Sequence, residues 1–77
     1  MDIREVFAHN LRKARHAKGL SQEALAYEAD VDRTYISALE RGLYSATIDM
    51  VNKLAAVLDV EASELLERPA KLRPRKI

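Results

Sequence analysis

Apolar residues recur at helical spacing along most of the chain, and no stretch alternates in the manner of a strand. Ile3, Val6, Phe7, Leu11 and Ala14 form one stripe, while Arg4, His9, Arg12, Lys13 and His16 fill much of the other face. Gly19 can take the left-handed conformation that ends a helix, with Leu20 placed to fold back on it, so a first helix is expected over about residues 2–18. Ser21 is a good N-cap for a second helix running to about Glu28; its N3 position is Ala24, so no full capping box is expected. Ala29-Asp30-Val31 then reads as a short turn, Asp32 caps a third helix from Arg33 to about Arg41, and Gly42 ends it. After a loop over Leu43-Tyr44-Ser45-Ala46, Thr47 caps a fourth helix with Ile48, Val51, Leu54, Ala55 and Leu58 on one face. Asp59 stands where glycine would end that helix, and Asp tolerates left-handed geometry. A last short helix, about 62–67, carries Leu65 and Leu66 and cannot continue through Pro69. The pattern therefore predicts an all-α, compact five-helix bundle.

With 77 residues the chain supports one domain at most, and a domain this small is marginally stable on one core alone. There is one Phe and no Trp, so Ala, Leu, Val and Ile must build that core in close-packed short helices. The absence of cysteine excludes disulfides and thiolate metal sites. No apolar run approaches a membrane span and no signal peptide opens the chain, so a cytoplasmic protein is expected. The net charge of +1 is unevenly spread: residues 68–77 hold five of the 13 basic residues and no acid, leaving eight basic against twelve acidic residues in 1–67. A domain over 1–67 is thus mildly acidic, followed by a basic, Pro- and Arg-containing tail over 68–77 that is expected to be disordered. Net charge gives no support to nucleic-acid binding; placement of charge has to decide.

Placement singles out residues 22–41, two short helices joined by a tight turn. Leu25 and Ala29 lie on one face of the second helix, Ile36 and Leu39 on one face of the third, and Val31 plugs the angle between them. Ala26 supplies the small side chain that two helices need where they cross closely. This leaves Arg33, Thr34 and Ser37 on the outer face of the third helix, with Ala38 and Arg41 at its margin. Such a face can enter a major groove, where an Arg forks onto guanine and Thr contacts bases or methyl groups.

Leu20-Ser21-Gln22-Glu23-Ala24-Leu25-Ala26, Val31-Asp32-Arg33-Thr34-Tyr35-Ile36-Ser37 and Leu39-Glu40-Arg41-Gly42, at this spacing, resemble the Cro/phage-repressor-type, or xenobiotic-response-element, family of helix-turn-helix regulators. The resemblance covers about residues 4–67, and Asp-Arg-Thr-Tyr-Ile-Ser is similar to the recognition helix of restriction–modification controller proteins. It implies a role for each matching residue. Gln22 would contact a phosphate and buttress the recognition helix, Arg33 and Thr34 would meet bases, and Arg41 and Ser45 would touch the DNA backbone again. Arg15 and Glu40 would form a partly buried ion pair between the first and third helices. Asp30 departs from the Gly of many members, and Tyr44 from an Arg that adds a DNA contact in controller proteins.

Other residues have plainer readings. Tyr35 can pack on the domain or reach DNA, Tyr27 is a surface residue or a phosphate contact, and Ser37 faces the groove. His9 and His16 lie seven apart with no carboxylate at metal spacing, so no metal is expected. Ser21 has no His-Asp partners for catalysis, and neither a metal cluster nor a phosphate loop points to an enzyme or a cofactor. One recognition helix reads only a few base pairs, so a homodimer on a pseudo-palindromic operator is expected, joined through Val60, Leu65 and Leu66. Double-stranded DNA is the expected partner, with no membrane and no small-molecule substrate. The competing reading is an antitoxin-type protein-interaction module, which would need an apolar patch or extension that the short charged tail hardly supplies.

Overall fold

The computed structural model describes residues 2–69; the basic tail lies outside them from residue 70 onward. The described residues form five helices and no strand: α1 (Ile3–Lys18), α2 (Gln22–Ala29), α3 (Arg33–Glu40), α4 (Ile48–Leu58) and α5 (Ala62–Leu66). Each bound lies within one residue of the spacing-based expectation. No helix among the described residues is long and apolar enough to cross a membrane.

Caps set those bounds. Ser21 Oγ accepts from the Ala24 N–H at 3.0 Å and Thr47 Oγ1 from the Met50 N–H at 3.0 Å, each satisfying a donor that the first turn cannot. At the start of α1 Asp2 accepts from the Glu5 N–H at 3.1 Å while the Asp2 N–H donates to Glu5 Oε1 at 3.0 Å. That reciprocal box joins an N-cap carboxylate to an acid three residues on, a spacing visible in Asp2-Ile3-Arg4-Glu5. The three helix ends at Gly19, Asp30 and Asp59 share one solution: each is left-handed, with φ of 76°, 59° and 60°. In each the next residue, Leu20, Val31 or Val60, donates its N–H back to Arg15, Ala26 or Ala55 at 2.9–3.1 Å and turns an apolar side chain inward. An L-residue at positive φ is strained where glycine is not. Asp30→Gly is therefore expected to raise stability by up to about 1 kcal/mol, read as a higher thermal midpoint; a lower one would show that the Asp30 side chain stabilises the turn.

The core joins Phe7 and Leu11 of α1, Leu25, Ala26 and Ala29 of α2, Ile36 and Leu39 of α3, Val51, Leu54, Ala55 and Leu58 of α4, and Leu65 of α5. Two expectations fail here. Ile48 is 87% exposed: it is the first residue of α4, and helical side chains lean toward the N-terminus, away from the neighbours that cover Val51. The C-terminal apolar trio presents no common surface. Leu65 is 1% exposed and belongs to the domain's own core. Leu66, one residue and about 100° further round the helix, is 41% exposed and borders a hollow with Ile3, Phe7, Tyr44 and Val51. Val60 faces a different groove, with Asn10, Ala14, Ala17, Glu64 and the edge of Leu65, away from Leu66. Asn10 fastens the end of the chain by donating its amide N–H groups to the carbonyls of Leu65 and Glu67 at 3.0 and 2.7 Å.

Candidate nucleic-acid interface

α3 is built to be held on one side and offered on the other. Ile36 and Leu39 are fully buried, whereas Arg33, Thr34 and Arg41 are exposed and Ser37 is half-buried. Its N-terminus is fixed by Asp32, whose carboxylate accepts from the Thr34 N–H at 3.0 Å and the Thr34 hydroxyl at 2.9 Å. Those bonds, the backbone one foremost, hold the Asp32 carboxyl below its usual range. A carboxyl depressed in the folded state contributes stability above the ordinary value of 3.8 and loses it as pH falls through the lowered one. The Thr34 amide resonance should report this as an acid-limb titration below that value, absent in Asp32→Asn; identical acid limbs would refute the cap's charge.

The other end of α3 is anchored by the expected ion pair. Arg15 Nε lies 2.6 Å from Glu40 Oε2 and Arg15 Nη2 lies 3.0 Å from Glu40 Oε1, a two-pronged contact between side chains 10% and 2% exposed. Hydrogen bonding to Glu40 raises the Arg15 pKa against the opposing effect of burial. Arg15 Nη1 donates to the Leu20 carbonyl at 2.9 Å, and Arg12 donates to the Glu40 carbonyl from the same helix. The pair thus welds α1, the turn after it and the C-terminal end of α3.

Gln22 connects this buried pair to the surface, a buttress to α3 of the kind the family resemblance implies, through two partners that the sequence does not foretell. Its Nε2 donates to Glu40 Oε1 at 3.0 Å and its Oε1 accepts from Arg33 Nη1 at 3.4 Å. A carboxylate only accepts, so the amide must turn its nitrogen inward and its oxygen toward Arg33. Gln22 and Arg33 are therefore brought together at the α2–α3 opening, with Thr34 beside them.

The remaining candidates divide. Tyr35 is half-buried and packs against the core, while Tyr27 is exposed on α2. Arg41 and Ser45 are exposed on the segment after α3. Ala38, expected at the margin of the outer face, is only 6% exposed, because the chain doubles back over it and the Leu43 N–H donates to the Ala38 carbonyl at 3.0 Å. Among the described residues no group of three or more His, Cys, Asp or Glu could hold a metal ion.

A capped helix, a three-residue turn with a left-handed residue, and a second helix with its outer face free define a helix-turn-helix domain. The Helix-turn-helix family model matches residues 11–65, and the chain belongs to this Cro/C1-type family. It is 46% identical over 68 residues to the "Neisseria hypothetical transcription factor" of Neisseria meningitidis, covering 88% of this chain and 64% of that one. The crystal structure of the Neisseria factor superposes with a TM-score of 0.87 at 44% identity over 91% of this chain and 80% of that chain. Control protein C.BamHI of Bacillus amyloliquefaciens is 40% identical over 67 residues, 86% of this chain and 83% of the relative. The biofilm regulator SinR, solved in complex with DNA, matches with a TM-score of 0.76 at 35% identity over 79% of this chain and 98% of that chain.

Proposed function

We propose that the chain is a sequence-specific, DNA-binding transcription regulator that places α3 in the major groove of a pseudo-palindromic operator as a homodimer. The observation that carries this reading is the face of α3. Arg33 and Thr34 stand exposed at its first turn, fixed from behind by Asp32 and Gln22, in a fold shared with a regulator solved on DNA. Arg33 reads guanine O6 and N7 through its planar fork. Thr34, Tyr35 and Ser37 complete the groove-facing set, and Gln22, Arg41 and Ser45 contact phosphates and fix the register. Selection of bound sequences from a random DNA pool tests the reading. A palindromic consensus with strongly salt-dependent affinity is expected; no enrichment of any sequence refutes it.

Dimerisation through Leu66 is part of the proposal. Leu66, Ile3 and Tyr44 are exposed apolar residues around one hollow, more apolar surface than a five-residue helix covers alone. Leu66→Asp is expected to lower dimer affinity and operator affinity together while leaving the helical circular-dichroism signal intact. Sedimentation equilibrium decides, and wild-type dimerisation in the variant places the interface elsewhere.

A further inference from the structure

The candidate interface is short of positive charge for a surface that meets DNA. Among the residues assigned to it only Arg33 and Arg41 are cations, and Arg33 is directed to a base edge. Exposed carboxylates adjoin it in the chain, Glu23 after Gln22 and Asp32 before Arg33. The basic run of α1 is engaged elsewhere: Arg12 and Arg15 hold Glu40, and Lys13 faces the groove beside Val60. Residues 1–69 hold nine basic residues against twelve acidic ones, whereas residues 70–77 hold Lys71, Arg73, Arg75 and Lys76 and no acid. A duplex carries one negative charge per about 1.7 Å, which repels a domain so balanced unless cations are brought up to it.

The fold starts the charged segment close to the face that α3 shares with the following loop. Leu66, at the end of α5, lines a hollow of only about 80 Å³ together with Ser45 and the exposed Arg4. Ser45 is one of the proposed phosphate contacts. The end of α5 is fixed there, because Asn10 donates to the carbonyls of Leu65 and Glu67 at 3.0 and 2.7 Å. Lys76 lies seven residues past Pro69, a reach of up to about 25 Å for an extended chain, ample to pass a hollow of this size.

We propose that residues 70–77 form a cationic arm that lies along the DNA backbone beside Ser45 and supplies most of the salt-dependent part of binding. The proposal rests on the reading of this face as the one turned to DNA. Phosphates carry no base identity, so the arm adds affinity without adding preference and leaves selection to α3. Its rival partner is the domain itself, since Glu61 and Glu64 stand exposed at the same short helix. Two carboxylates present far less negative charge than a duplex does, so DNA takes the arm from them.

The test uses the full chain with Lys71→Gln, Arg73→Gln, Arg75→Gln and Lys76→Gln combined, all outside the five helices, on the operator obtained by selection. Each phosphate contact contributes about 0.9 to the slope of log affinity against log salt. With one or two cations of each tail engaged in a dimer, the slope is expected to fall by about 2 to 4, and affinity at about 0.1 M salt by roughly a hundredfold or more. The loss should be alike on operators with single-base changes and on an unrelated duplex. Arg73→Lys with Arg75→Lys keeps the charge and should keep the slope. Sedimentation equilibrium of the neutral variant should give wild-type dimerisation, which separates an arm on DNA from a contact between protomers. An unchanged slope, a loss confined to particular base pairs, or a loss matched by failed dimerisation overturns the proposal. So does a gain in affinity, because the arm then covers the domain's own carboxylates. If selection enriches no sequence and the neutral variant still loses salt-dependent binding to any duplex, the sequence-specific reading falls and the arm stands. If a consensus emerges and the slope is unmoved, the arm falls alone; if no duplex is bound, both fall.

Discussion

Glu40→Ala is expected to cost about 3 to 5 kcal/mol of folding stability, because it strands a buried arginine. Glu40 is 2% exposed and supplies both carboxylate oxygens to Arg15, at 2.6 and 3.0 Å. Once the carboxylate is gone, Arg15 keeps only its bond to the Leu20 carbonyl and its contact with His16, neither of which carries compensating charge. Gln22 loses its acceptor at the same stroke. For a domain whose whole stability is about 5 to 10 kcal/mol such a loss leaves a large unfolded fraction near 37 °C. Denaturant titration measures it, and a loss below about 1 kcal/mol would mean that the pair behaves as a surface contact. Replacing both partners by apolar residues of similar volume should cost far less than removing Glu40 alone, since no charge is then left unpaired.

Arg33→Ala is expected to cost about 1 to 3 kcal/mol on the preferred operator and to relax the preference at one base position per half-site. The guanidinium leaves the first turn of α3, exposed, with Gln22 accepting one of its N–H groups at 3.4 Å. The other donors remain for the paired acceptors of guanine. Gln22→Ala provides the contrast: it should lower affinity for all sequences, since a phosphate carries no base identity, and should leave the salt slope nearly unchanged. Its effect on base preference can arise only through Arg33 and stays smaller than that of Arg33→Ala. Affinities of both variants across operators with single-base changes decide. A uniform loss in Arg33→Ala, with the wild-type base preference kept, would make Arg33 a backbone anchor.

What the sequence discloses is what local physics determines. Ser21, Asp32 and Thr47 announce helix starts through the donors they satisfy, and Gly19, Asp30 and Asp59 announce ends through the φ they tolerate. The Arg15–Glu40 pair, 25 residues apart, was legible only through family resemblance, because nothing local to either residue points to the other. The misplaced residues are those whose exposure depends on where neighbouring elements stop. Ile48 continues the apolar stripe of α4 past the last helix able to cover it. Ala38 is covered by a loop whose path follows from the Leu43 bond rather than from helix periodicity. Val60, Leu65 and Leu66 look like one patch in sequence and divide in space, Val60 and the buried Leu65 beside one hollow and Leu66 beside another. Gln22 likewise shows its link to Glu40 only after α2 and α3 have been packed.

The orientation of the Gln22 amide limits which side chains the recognition helix can carry at its first position. Because Glu40 takes the amide nitrogen, the group facing position 33 is a carbonyl oxygen, which accepts and cannot donate. Arginine, lysine, glutamine and asparagine can all meet it with a donor and still address a purine edge. An aspartate or glutamate, the side chains that read the cytosine amino group, would set one acceptor against another. With α3 in the major groove as proposed, a carboxylate hidden between α1 and α3 would bias the alphabet of operators available to this scaffold, favouring guanine and adenine over cytosine at the base that the first residue of α3 meets.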